Sequence, residues 1–298
     1  MLMKKWVRRT AVTLLVLFVV FITAVYFLAP NIILYPRRLK SEKTPADVQL
    51  PYERLTVSGQ DSVPIEGYWV GRGDSTRRTT IILLHGIGNN KESWLGTAAW
   101  LWKEGFSTVM IDLRAHGCSG GNYCSYGQCE KNDVAAVTEY LLARDSSLKV
   151  GVWGHSLGGA VALQSLACEP RLAFGVVEST FADFRSTVYD YQWRMFKIAS
   201  HTFADDAIAR AAEQAHFIPD SIKPFEAAEH ITQPVFMGHG DQDEKISIEY
   251  GRKNFAHLAS TDKQFYVVQG GHHSDISAAG GEAYRNAILS FLKRQRKL

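Results

Sequence analysis

Apolar residues fill positions 11–29 without a single charge. At about 1.5 Å per residue such a run is roughly 28 Å long as a helix, close to the hydrocarbon thickness of a bilayer. A cleaved signal peptide has a shorter apolar stretch, about 7 to 15 residues, followed by a small-x-small site. Phe27-Leu28-Ala29-Pro30 is a poor site of that kind, so the pattern predicts an uncleaved transmembrane anchor. A buried helix of a soluble protein conflicts with apolarity on every face. The polar stretch 41–51, with Pro45 inside it, suits a tether from the membrane to a folded part.

Beyond the tether, two alternating runs at 52–57 and 63–70 flank Ser58-Gly59-Gln60-Asp61 and predict an antiparallel hairpin. The rhythm then changes to short apolar runs at 79–84, 107–111, 149–153, 173–177, 235–238 and 264–268. Helical stretches at 94–103, 133–144, 159–167, 248–257 and 282–293 lie between or after them. This alternation predicts an α/β fold, a mostly parallel sheet with crossover helices. The interval 184–224 breaks the pattern, being long, aromatic at its start and helical in composition, and reads as a cap. Tyr189, Tyr191, Trp193, Phe196 and Phe203 either line a hydrophobic pocket or pack the insertion down.

With 298 residues, 46% of them hydrophobic, the chain can bury one large domain after its first forty residues. The net charge of +3 is small, and part of it comes from basic residues around the apolar run, so nothing demands nucleic acid. Lys4, Lys5, Arg8 and Arg9 precede the run, and Arg37, Arg38 and Lys40 follow it. That bias favours a cytoplasmic N-terminus and a folded domain facing the periplasm or the exterior. The four cysteines are too few for a disulfide framework. In an oxidising compartment one bridge among Cys118, Cys124 and Cys129 competes evenly with unpaired thiols.

Chemistry enters at Gly154-His155-Ser156-Leu157-Gly158-Gly159, a G-x-S-x-G pattern. Alone it is weak, but Ser156 falls where a strand-like run turns into a helical one, the setting of a nucleophile elbow. A serine hydroxyl needs a base near pH 7 and a carboxylate to fix the tautomer of that base. After the run at 235–238 comes His239-Gly240-Asp241-Gln242-Asp243, and after the run at 264–268 comes Gly270-Gly271-His272-His273-Ser274-Asp275. Carboxylate and imidazole thus follow strand C-termini, where open α/β sheets bind ligands.

From residue 52 onward the chain resembles the α/β-hydrolase superfamily, and within it the bacterial esterase and serine-aminopeptidase-like groups. Leu84-His85-Gly86-Ile87-Gly88 matches the oxyanion motif, and Asp112-Leu113-Arg114-Ala115-His116-Gly117-Cys118-Ser119 matches a D-x-R-G-H-G-x-S pattern in which Ala115 replaces the usual glycine. The elbow, the H-G-x-x-D motif at His239 to Asp243 and the G-x-x-H motif at Gly270 to His273 follow in order. The resemblance implies Ser156 as nucleophile, Asp243 rather than Asp241 as the acid, and His273 rather than His272 as the base. It also implies backbone N–H groups of Ile87 and Leu157 as the oxyanion hole. His85, His155, Arg114, His116, Glu130 and Asp133 are then structural, while Glu178 is a rim contact or a satisfied turn.

The implied function is hydrolysis of an acyl ester, small or lipid-like, with no metal or organic cofactor. A serine peptidase would use the same three residues but needs an acid, such as Glu178 or a cap carboxylate, to hold a free N-terminus. A non-catalytic binding protein on the same fold is disfavoured by the intact set.

Overall fold

A computed structural model describes residues 2–74, 76–197 and 200–297, the side chains of residues 2, 3, 25, 195, 196 and 297 excepted. Its centre is an eight-stranded sheet. Strands β1 (Tyr52–Ser58) and β2 (Pro64–Val70) form the expected hairpin, and β2 pairs antiparallel with β4 (Ser107–Ile111). From there β3 (Thr79–Leu84), β5 (Lys149–His155), β6 (Leu172–Glu178), β7 (Val235–Gly240) and β8 (Lys263–Val268) run parallel, in the order β1-β2-β4-β3-β5-β6-β7-β8. Every residue of β3 and β4 is buried, because helices cover both faces; such strands read as unbroken apolar runs.

Helices α2 (Leu95–Lys103) and α9 (Ile276–Lys297) pack on one face through Ala98, Leu101, Ile288, Phe291 and Leu292. On the other face lie α3 (Glu130–Arg144), α4 (Leu157–Cys168), α7 (Pro224–Ala228) and α8 (Ile248–His257). Parallel strands bring their C-terminal ends to one rim, and the loops carrying Ile87, Ser156, Asp243 and His273 all emerge there.

The cap forms as two helices between β6 and β7. Asp183 opens α5 (Phe184–Phe196) by accepting the Ser186 N–H at 2.7 Å, a side-chain N-cap. Helix α6 (His201–Ala215) buries Ala204, Ala207, Ile208, Ala211 and Ala215, the spacing of one helical face.

Helix α1 (Leu2–Leu34) runs beyond the apolar stretch in both directions. Its apolar side chains from Val12 to Phe21 are exposed, which makes the helix a candidate membrane span. Its C-terminal turn behaves differently: Ile33 and Leu34 enter the main core, with Leu34 fully buried. Pro30 cannot donate the N–H that would bond the Tyr26 carbonyl. Arg210 of α6 donates to that carbonyl instead and lies over the Tyr26 ring at 3.7 Å. Tyr126 Oη donates to the Ile33 carbonyl at 2.7 Å and the Cys124 N–H to the Leu34 carbonyl at 3.0 Å.

The segment expected to be a tether is fastened along the body. Arg38 donates to the Ser119 and Gly121 carbonyls, Asn90 to the Leu39 carbonyl, and Pro45 and Leu50 are buried around a short 3-10 turn at Pro45–Val48. Composition made the stretch look loose, whereas two buried apolar anchors hold it. No bridge joins Cys118, Cys124 and Cys129; these three and Cys168 are free thiols.

If the end of α1 belongs to the hydrolase core, Leu34→Ala should destabilise the domain by about 2 to 5 kcal/mol. Urea unfolding of the full chain in detergent measures this; an unshifted midpoint would mean that α1 is only appended.

Candidate active site

Strand β5 ends at His155 and α4 begins at Leu157, leaving Ser156 alone at the turn with φ 55° and ψ −117°. A side-chain-bearing residue held there stores on the order of 1 to 3 kcal/mol of strain. Two glycines permit the turn. A Cβ on Gly154 would fall 2.0 Å from the Gly158 carbonyl oxygen, and one on Gly158 would fall 2.1 Å from that of Leu84. Ser156 N–H donates to the Glu178 carbonyl at 2.9 Å and Thr180 Oγ1 donates to the Ser156 carbonyl at 2.8 Å, fixing the turn to β6.

His273 comes from the loop after β8 and Asp243 from the loop after β7. His273 Nε2 lies 3.0 Å from Ser156 Oγ, and its Nδ1 lies 2.8 and 3.1 Å from the two oxygens of Asp243. Asp243 Oδ1 also accepts the N–H groups of Lys245 and Ile246 at 2.9 and 2.8 Å. An ionised carboxylate only accepts, so Nδ1 carries the proton and the Nε2 lone pair faces the serine hydroxyl. Burial alone would raise the Asp243 carboxyl. Hydrogen bonds from His239 and His273 and the Ile246 N–H outweigh it and hold the group well below its usual range.

The neighbouring alternatives are placed elsewhere. Asp241 Oδ1 accepts the Gly270 N–H at 2.7 Å and ties the two loops together, while His272 is exposed and lies 3.2 Å from Glu244. His239, the first residue of the H-G-x-x-D motif, has its Nε2 3.4 Å from Asp243 Oδ2 and 3.0 Å from the Ile246 carbonyl, bracing the acid from behind.

Leu157 is the first residue of α4, so its N–H has no acceptor within the helix, and Ile87 and Leu157 border the same cavity as Ser156. His85 holds the Ile87 loop. Its Nε2 accepts the Leu113 N–H at 3.0 Å, so its Nδ1 bears the hydrogen and donates to the Gly86 carbonyl at 2.8 Å. Burial first, then the neighbouring His116, lowers the His85 pKa from 6.5 to about 3. His155 packs against the His273 ring at 5.1 Å, and burial followed by His273 lowers it likewise to about 3.

The remaining polar residues are consumed below the site. Arg114 makes a two-pronged bond to Asp133, 2.7 Å on each arm, and Glu130 accepts from Ser125 and Gly127. His116 Nδ1 lies 2.8 Å from the Arg114 carbonyl. Glu178 is no rim contact: it is 3% exposed and accepts from Trp153 Nε1 at 2.8 Å and Tyr284 Oη at 2.7 Å, and burial raises its carboxyl. Ala115 sits at φ 61°, a left-handed position that explains why glycine is usual there.

Residues 81–283 match the model of the alpha/beta hydrolase family. The chain belongs to that family. It is similar to Protein bem46 of Schizosaccharomyces pombe, 25% identical over 257 residues that cover 84% of this chain and 79% of that protein. It is also 25% identical to the lysophosphatidylserine lipase ABHD12 of Macaca fascicularis over 267 residues, 82% of this chain and 64% of the lipase. The fold of the Pyrococcus furiosus esterase Pf2001 superposes with a TM-score of 0.73 at 23% identity, covering 87% of this chain and 98% of the esterase.

In this hydrolase Ser156 opens into an apolar cavity of about 300 Å³. Of the expected cap aromatics, Tyr191 and Phe203 line it. Tyr189 instead stacks on His201 at 4.1 Å, Trp193 is 53% exposed, and the Phe196 side chain lies outside the described residues. Phe181, Phe184 and Val188 line the cavity without having been singled out, as do Ala29, Ile32 and Ile33 of α1. Helical spacing after the Phe181 turn could have pointed to the first group; an anchor reads as lipid-facing, so the second group carried no signal.

The buried imidazole of His85 makes stability pH-dependent with a definite sign. Its folded pKa lies below its unfolded value, so the unfolded chain takes up the proton first as pH falls. Its contribution is complete above about 6.5 and drains as pH drops toward the folded value. Urea midpoints measured from pH 7 to 4 should decline, and His85→Asn should flatten that slope by up to about 1.4 kcal/mol per pH unit. Equal slopes would exclude His85 as the source.

Proposed function

We propose that this hydrolase cleaves carboxylic esters bearing an apolar acyl chain, through an acyl-enzyme on Ser156, while α1 anchors it in a membrane. The single observation that carries the reading is the hydrogen-bonded series from Asp243 through His273 to Ser156 Oγ, opening on an apolar cavity. The lipase named among the relatives points the same way toward lipid esters. The peptidase alternative loses its best acid, because Glu178 is engaged by an indole and a phenol.

His273 Nε2 takes the hydroxyl proton as Ser156 Oγ attacks the ester carbonyl. The negative charge that develops on the carbonyl oxygen is received by the N–H groups of Ile87 and Leu157, donors already fixed before reaction. Asp243 stabilises the imidazolium without taking its proton. The proton passes to the departing alkoxide, the alcohol leaves, and an acyl ester of Ser156 remains. A water molecule, deprotonated by His273, attacks that ester; Ser156 regains its proton and the carboxylic acid departs. Lys4, Lys5, Arg8 and Arg9, in the first turns of α1, favour a cytoplasmic N-terminus with the hydrolase domain on the far side.

Ser156→Ala should abolish turnover of short-chain p-nitrophenyl esters and labelling by a fluorophosphonate; labelling that persists would move the nucleophile elsewhere. Asp243→Asn, by favouring the wrong tautomer of His273, should lower kcat by a factor on the order of 10⁴, read from the same assay. A reporter active only outside the cytoplasm, fused after the last residue, should be active; an expressed but silent fusion would reverse the orientation.

A further inference from the structure

The cavity wall opposite the sheet is built in part by the anchor. Ala29, Ile32 and Ile33, in the last turns of α1, line the space into which Ser156 opens, together with Phe203, Ala204 and Ala207 of α6. We infer that the end of α1 is an acyl-binding element: one acyl chain of a membrane lipid ester slides from the hydrocarbon phase along α1 into this cavity and brings its ester group to Ser156. The inference rests on the hydrolase reading above and assigns its substrate route.

Continuity of apolar surface is the first argument. Ile32 lines the cavity and is still 56% exposed, and one turn earlier on the same helix Phe27 and Leu28 are 66% and 56% exposed. The cavity mouth therefore merges with a surface that a bilayer covers, so the chain passes from one apolar medium to another. A route through water would expose every methylene, each with an unfavourable transfer term.

Position is the second. Ile87, on the loop that carries the oxyanion donor, also lines the cavity and is 41% exposed, so the mouth lies beside the reacting centre. The chain leaving α1 runs past the same loop, since a Cβ on Gly88 would lie 4.0 Å from Arg37 Cβ. The exposed Arg37 belongs at the level of lipid headgroups, where such side chains settle. An ester lies just beneath the headgroups, at the depth where this mouth opens.

Rigidity is the third. The wall is fixed by Arg210 on the Tyr26 carbonyl, by Gln214 donating to Tyr35 Oη at 2.6 Å and by Tyr126 donating to the Ile33 carbonyl. At about 300 Å³ the cavity is at the small end of ligand pockets, which fits one chain rather than two.

The test uses the full-length protein in phosphatidylcholine vesicles carrying monoacylglycerols of graded acyl length, with rates normalised to the Ser156 sites titrated by a fluorophosphonate. Ala29→Trp, whose indole would enter the cavity, should lower the ratio of long-chain to short-chain kcat/KM at least tenfold. Ile32→Asp, which puts a charge at the mouth, should raise KM for vesicle-borne long-chain esters at least fivefold in protein that titrates fully. If Ala29→Trp does not accumulate, Ile32→Trp takes its place with the same expected loss in ratio. An unchanged length profile in protein that titrates fully would overturn the acyl-binding role of α1. So would rates that follow the free aqueous ester concentration rather than its density in the vesicle surface. Wild-type protein that neither titrates nor turns over any ester would overturn the hydrolase reading instead, a result distinguishable from both.

Discussion

At Ser156 three backbones meet closer than any side chain allows. The turn holds φ at 55° because β5 and α4 touch through Gly154 and Gly158, and because Gly158 rests on the carbonyl of Leu84 in the adjoining strand. The strain is carried by the sheet: hydrogen bonds from Ser156 to β6 and from Thr180 back to Ser156 leave the turn no slack. From this constraint follow the direction of Oγ, the free N–H of Leu157 at the start of α4, and the shared rim on which the imidazole and carboxylate loops converge. Electrostatics completes the arrangement, since Asp243 accepts from two backbone N–H groups as well as from His273, with the His239 imidazole 3.4 Å away.

Much of this could be read from the residues. The strands at 79–84 and 107–111 and the helix at 248–257 appear with the expected bounds or within a residue of them, because fully buried strands and amphipathic helices leave strong periodic signals. The family resemblance implied Asp243 over Asp241 and His273 over His272, and the hydrogen bonds join Asp243 to His273 and His273 to Ser156. His239 stayed silent because an imidazole next to a glycine has many structural uses. Glu178 was ambiguous because its partners, Trp153 and Tyr284, lie 25 and 106 residues away in the chain.

The largest departure concerns the first fifty residues. A run that is apolar all round implies lipid on all sides, and no local pattern distinguishes the last turn, where Ile33 and Leu34 meet protein. The clue lies in Pro30, whose missing N–H leaves the Tyr26 carbonyl for a partner from outside the helix. The polar composition of 41–51 hid Pro45 and Leu50, two residues sufficient to seat the segment against the domain.

The seating of Leu34 and Ile33 also bears on how the molecule can be divided. A cut made after the basic cluster, at the apparent border between anchor and enzyme, removes two core side chains and one side of the chamber holding Ser156. The remainder would present an open trough in place of a walled chamber, and its preference among substrates would describe the trough. The apolar helix and the chamber wall thus share the same last turns of α1, so the hydrolase fold and its chamber are not separable at that border.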